Sequence, residues 1–268
     1  MKRAEFAELV TCLTGDQPPR VWSLLVTVFG ELAQEDGARI SGALLRHLSD
    51  LIGFKPEAVR VALHRLRKDG WIDSRRIGRN SDYGLTAWGR AQSAAATPRI
   101  YAEGPLADTA WLVVSDPGAP LSEPDREGVW LTSYLRLTPQ RPDDPGALIA
   151  PVTQAVQLPD WMRAKLCGEG LTGHAQALLQ ALTRIETQAA QLTRLAPCER
   201  AALRVLIVHD WRRIALRTPV LPDAVFPADW PGPQCRETVA QVLRLLPRQN
   251  LDVLLHALET DPPPGRAR

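Results

Sequence analysis

The stretch KPEAVRVALHRLRKDGWIDSRRIGRNSDYGLT, Lys55 to Thr86, changes its apolar spacing from helical to alternating around glycines. That switch in so short a window limits the local fold to a helix followed by a β-hairpin. Pro56 suits a first helical position, where its missing N–H has no partner to lose. Lys55 before it is a poor N-cap, because its side chain accepts no hydrogen bond. From Pro56 to Asp69, Val59, Leu63 and Leu66 share a face that seats the helix, while Arg60, Val61, His64, Arg65, Arg67 and Lys68 occupy the others. Two strands, Trp71 to Arg76 and Asp82 to Thr86, are expected around a Gly78 to Ser81 turn.

Two helices are expected upstream. Val21, Leu24, Leu25, Val28 and Leu32 follow helical spacing from Arg20 until Asp36-Gly37 ends the run. Ser41 caps a second helix carrying Leu44, Leu45, Leu48 and Leu51, and Gly53 lets the chain turn without a Cβ penalty. Three helices in helix-turn-helix order are thus followed at once by a ribbon. Charge concentrates there: Lys55 to Tyr83 holds eight Lys/Arg against four acids, a net of +4, whereas the whole chain carries +2.

A helix of this width fits the DNA major groove, with residues near its start reaching base edges and flanking cations meeting phosphates. Glu57, Ala58, Arg60, Val61 and His64 are the base-facing candidates, and Lys55, Arg65, Arg67 and Lys68 the flanking group. Arg75, Arg76 and Arg79 on the ribbon are placed to contact phosphates or enter a minor groove, with Ser81 and Tyr83 bonding the backbone. For an isolated amphipathic helix, a solvated face is the ordinary reading of such cations. The series of helix, helix, helix and basic ribbon favours duplex DNA instead. His64 reads as a polar contact rather than a pH switch.

With 268 residues and 45% hydrophobic content, the chain is expected to form two or three domains. MKRAEFAELV is too short and acidic for a secretory signal, and VWSLLVTVFG is too short to span a membrane, so a cytoplasmic protein is expected. ATPRIYAEGP loses periodicity and reads as a domain junction. AWLVVS, GVWLTSYLRL and ALIAPVTQAV read as strands, helical spacing returns from His174, Pro197 interrupts it, and a last helix runs from about Gln234 to Leu246. The tail TDPPPGRAR is expected to fray.

Several features imitate chemistry. Gly168, Gly170 and Gly173 have the spacing of a dinucleotide-binding loop but follow a helical turn, so a flexible junction is expected. Cys12, Cys167, Cys198 and Cys235 lack paired spacing and read as plain thiols. His209-Asp210 with Cys167 or Cys198 suggests a nucleophile and base, yet nothing places them in mutual reach. No catalytic residue, metal or cofactor is expected. Most of Trp111, Trp130, Trp161, Trp211 and Trp230 read as core rather than pocket lining.

SLLVTVFGELA, EAVRVALHRLRKDGWI and GRNSDYGLTAWGR resemble the N-terminal part of the PaaX-type phenylacetate-operon repressors. RIYA followed by AWLVV, and above all HDWRRIALRTPVLPDAVFPADWPG, are similar to that family's middle and C-terminal signatures. The resemblance spans Arg20 to Leu246 and implies an α+β protein. Its expected parts are a winged helix-turn-helix over 1–98, a ferredoxin-like α/β domain over 99–168 and a helical C-terminal domain over 169–268. It also implies a homodimer that represses transcription at an inverted-repeat operator. An aryl-acetyl-coenzyme A thioester, typically phenylacetyl-CoA, is the implied releasing effector, met by Trp211, Arg212 and Arg213 between the middle and C-terminal domains. The competing readings are an enzyme acting on a CoA thioester, with the basic window a solvated face, and an RNA-binding or scaffolding module.

Overall fold

A computed structural model describes residues 3–15, 19–78, 80–118, 128–153, 156 and 158–260. The N-terminal part runs α1 (Arg3–Thr14), α2 (Val21–Leu32), β1 (Ile40–Ser41), α3 (Gly42–Leu51), α4 (Pro56–Lys68), β2 (Ile72–Ile77), β3 (Asn80–Leu85) and α5 (Ala87–Ile100). β4 (Ala110–Val114), β5 (Val129–Thr132), β6 (Leu135–Thr138) and β7 (Leu148–Val152) follow. The C-terminal part contains α6 (Asp160–Arg163), α7 (Glu169–Glu186), α8 (Ala189–Leu192), α9 (Pro197–Ala215), a 3-10 turn at Asp223–Val225, α10 (Gly232–Leu245) and α11 (Leu251–Thr260). The fold is mixed helix and sheet, with two small antiparallel sheets.

Local chemistry accounts for several starts. The Ser41 hydroxyl accepts from the Leu44 N–H at 3.2 Å, and Thr86 does the same for Gly89 at 3.0 Å, each satisfying a helix's first donors. Lys55 is extended and gives α4 no side-chain cap, and Pro56 begins the helix. At α9, Pro197 takes the first position and the Glu199 carboxylate accepts from the Ala196 N–H at 3.0 Å.

Thirteen of the 19 residues of α9 are buried. It packs against α1, α2, α3 and α5 of the N-terminal part and α7, α10 and α11 of the C-terminal part, so N- and C-terminal helices share one continuous core. Two polar seams cross the α2–α9 contact. Glu31, 6% exposed, meets Arg204, 7% exposed, at 2.6 Å. Arg204 also donates to the Leu243 and Leu246 carbonyls at 3.1 and 2.7 Å, and Arg248 reaches the other Glu31 oxygen at 3.2 Å. One turn earlier on α2 and about two turns later on α9, Arg212 donates to the Thr27 hydroxyl at 3.0 Å, which lies 3.2 Å from Nδ1 of buried His209.

The first sheet has the order β1-β3-β2. The second has the order β5-β6-β4-β7, with every pair antiparallel. β4 and β5 therefore run the same way, with β6 between them. From β6 to β7 the chain passes through turns and bends rather than a helix.

Some sequence expectations differ from the structure. α5 continues through Pro98 to Ile100, where a junction is expected, because Arg99 anchors its end by donating to the Ala215 and Thr218 carbonyls at 2.8 and 2.6 Å. GVWLTSYLRL folds back as β5 and β6. α7 begins at Glu169 rather than His174, so Gly168 is its N-cap and Gly170 and Gly173 lie in helix rather than in a flexible junction. α1 and α11 have no counterpart in the sequence reading, and most of the tail lies outside the described residues. Trp211 and Trp230 are buried, Trp111 and Trp130 half-buried, and Trp161 exposed. The four cysteines are free, and burial pushes the Cys198 and Cys235 thiols up to about 11 and about 12. Among the described residues no helix is long and apolar enough to cross a membrane.

Removing one partner of a buried ion pair strands the other in low dielectric, so Glu31→Ala is expected to lower unfolding free energy by about 3–5 kcal/mol in denaturant titrations. His209 supplies a pH test. Burial, partly offset by Asp210, lowers its pKa from 6.5 to about 4. It is neutral in both states above pH 6.5, and below that only the unfolded chain binds the proton. Stability should fall by about 3 kcal/mol as pH drops from 6.5 towards 4, and His209→Gln should flatten that part of the acid limb.

Candidate nucleic-acid interface

α4 rests on α2 and α3 through Val59, Ala62 and Leu66, all buried, with Leu63 half-buried beside them. The rest of the helix faces outward. Lys55, Glu57, Arg60, His64, Arg65, Arg67 and Lys68 are exposed, and Val61 is 69% exposed although apolar. Arg65 is partly engaged, 3.5 Å from Asp69 and with its guanidinium carbon 5.6 Å from the Trp22 ring centre. Among the described residues, Lys55, Arg60, Arg67 and Lys68 make no ion pair. The last-turn cations also complement the helix carbonyl end, a structural role compatible with any other.

The hairpin register pairs Ile72 with Leu85 and continues to Ile77 opposite Asn80. The turn is tighter than the expected Gly78 to Ser81, because Gly78 adopts φ 61°, which L side chains resist. Arg75 and Arg76 are exposed, and Arg76 Nε donates to the Gly78 carbonyl at 3.2 Å. Arg79 lies outside the described residues. Ser81 is half-buried, and Tyr83, also half-buried, packs against the core opposite Ile40 of β1. On the inner side Arg39 holds the Asp73 carboxylate at 2.7 Å and donates to the Asp82 carbonyl at 3.0 Å. Two of the window's four acids are therefore paired with cations, Asp69 and Asp73.

An aromatic cluster joins the hairpin root to the helices. Trp71 meets Trp22 edge-on at 6.2 Å and Trp88 at 5.0 Å between ring centres. The Thr86 N–H donates to the Trp71 carbonyl at 3.1 Å, and a Cβ on Gly89 would lie 2.2 Å from that oxygen. Glycine is therefore required where α5 crosses the hairpin root. The contacts made by Arg39, Trp22, Trp71, Trp88 and Gly89 escape sequence reading, since they join separate elements and follow no common period.

The three consecutive residues expected to meet an effector point to different neighbours. Trp211 is buried and its Nε1 donates to the Ile100 carbonyl at 2.8 Å. Arg212 is half-buried on Thr27 of α2, and burial pushes its guanidinium down from its ordinary pKa. Arg213 is exposed, 3.5 Å from Asp210, whose same oxygen lies 3.8 Å from His174. Among the described residues no group of three or more His, Cys, Asp or Glu could hold a metal ion.

Comparison with known proteins gives these surfaces a context. Residues 20–89 match the family described as PaaX-like protein, and residues 168–253 match the PaaX-like protein C-terminal domain. The transcriptional repressor PaaX of Escherichia coli (strain K12) is 27% identical over 243 residues, which cover 80% of this chain and 77% of that protein. A solved structure of an uncharacterized Mycobacterium tuberculosis protein aligns over 89% of this chain and 97% of its own, at 16% identity and a TM-score of 0.45. The two matched segments together take in more than half of the sequence, including all of α4 and all of α9, and on that basis the chain belongs to the PaaX-like protein family.

Proposed function

We propose that the chain is a DNA-binding transcriptional repressor in which α2, α3, α4 and the β2–β3 hairpin form a winged helix-turn-helix. The observation that carries this reading is the outward face of α4, cationic and free of ion pairs at Lys55, Arg60, Arg67 and Lys68 among the described residues. The Escherichia coli relative, a transcriptional repressor by name, supports it. α4 enters a major groove, where Glu57, Arg60, Val61 and His64 face base edges and Lys55, Arg65, Arg67 and Lys68 meet phosphates. Arg75, Arg76 and Arg79 extend the contact along the backbone with Ser81, while Tyr83 braces the wing.

The proposal extends to a homodimer whose two-fold axis demands an inverted-repeat operator with half-sites about one DNA turn, or a multiple of it, apart. The divisions 1–98, 99–168 and 169–268 belong to it, with β4 to β7 as a ferredoxin-like unit supported by their strand order. An aryl-acetyl-CoA thioester such as phenylacetyl-CoA is the proposed releasing effector, acting near Trp211, Arg212 and Arg213. It shifts DNA affinity only by binding unequally to the two dimer geometries.

Anisotropy titrations over a salt series, using a duplex selected from genomic fragments, test the interface. Arg60→Ala should cost about 1–3 kcal/mol and relax preference at particular base pairs. Arg76→Ala should weaken all duplexes alike and flatten the salt slope by about one unit. Wild-type affinity and slope in both variants would contradict the assignment.

A further inference from the structure

Between α2, α5 and α9 lies a cavity of about 150 Å³, with Val26, Ile100, Val208 and Leu216 among its apolar walls. A hole of this volume takes a body the size of one aromatic ring. Arg212 also lines it, and its charge has no answer in the surroundings. Its one hydrogen-bond partner among the described residues is the Thr27 hydroxyl, at 3.0 Å, and beyond that lies His209, which burial keeps neutral at neutral pH. Glu31 reaches the cavity too, but Arg204 holds one of its oxygens at 2.6 Å and Arg248 the other at 3.2 Å. No carboxylate of the described residues pairs with Arg212. A half-buried cation without a counter-charge loses part of its hydration, and a bound anion offsets that cost.

We propose that this cavity binds a small organic carboxylate whose body is the size of one ring, with the carboxylate on Arg212 and the body against the apolar wall. The ligand is a free acid. It differs from the thioester proposed above, which has no carboxylate beside its ring, and the site stands independently of that effector. Trp71 lines the same cavity one residue before β2. An occupant therefore touches the root of the hairpin, which is where binding would be felt by the DNA-facing surface.

Calorimetric titration of the full chain, without DNA, with benzoate and with neutral benzamide tests the site. Benzoate should bind at least about tenfold more tightly than benzamide, reflecting the charge-assisted bond to Arg212. Arg212→Gln should erase that preference, and Ala96→Phe, which fills the cavity from α5, should abolish binding of both probes while thermal melting remains cooperative. Should Arg212→Gln fail to fold, the benzoate-to-benzamide ratio on the wild-type chain and the Ala96→Phe result decide. Absence of heat with millimolar benzoate, equal affinity for both probes, or undiminished benzoate binding by Ala96→Phe would overturn the proposal. Because no nucleic acid is present, failure of the repressor reading leaves this result unaffected.

Discussion

The guanidinium of Arg204 crosses from α9 to Glu31 on α2, and how α2 lies on α9 follows from that contact. Both groups are buried, so each would be expensive alone, and the four hydrogen bonds around them leave little freedom in how α2 lies on α9. Replacing the pair with hydrocarbon could be as stable. What the ions add is register: a slide of one helical turn strands two charges. α2 in turn seats α4, so the outward direction of the basic helix is set by a bond far from it in sequence.

A second set of ties runs from α5 to the far end of α9. Arg99 donates to the carbonyl of the last residue of α9, Ala215, and to that of Thr218 beyond it, and Trp211 donates back to Ile100 at the end of α5. α5 also crosses the hairpin root at Gly89. The proposed wing is thus connected to the helical core by backbone and side-chain contacts through one rigid element, rather than by a loose linker. Coupling between a ligand near α9 and the DNA-facing surface has a material path, although only unequal affinity for two arrangements would drive it.

The sequence announced those elements whose signals are local. α2, α3, α4 and the hairpin have clear period, a serine cap, a proline start and a glycine turn, and all four occur close to where these place them. α9 is buried on nearly every side, with Arg204 and His209 among its buried residues, so its pattern marks no single inner face and its central position could not be read from it. α5 hid behind Pro98, which usually ends a helix but here precedes an anchoring arginine. In the candidate site, exposure of Arg60, Arg67 and Lys68 follows from α4's amphipathic pattern, whereas the Trp22–Trp71–Trp88 cluster and the Arg39–Asp73 pair depend on long-range packing. The different partners of Trp211, Arg212 and Arg213 follow from helix geometry, since consecutive residues differ by about 100° around the axis.

Charge distribution connects the fold to its proposed use. A net of +2 over the whole chain conceals a local excess of +4 between Lys55 and Tyr83, and Arg39, from outside that window, offsets Asp73 within it. Amide hydrogen exchange of the full chain, with and without a duplex enriched from genomic fragments, tests this surface most directly. Slowed exchange concentrated in residues 56–85 is the expected result. Tight duplex binding that leaves those amides unchanged and protects another face would contradict it.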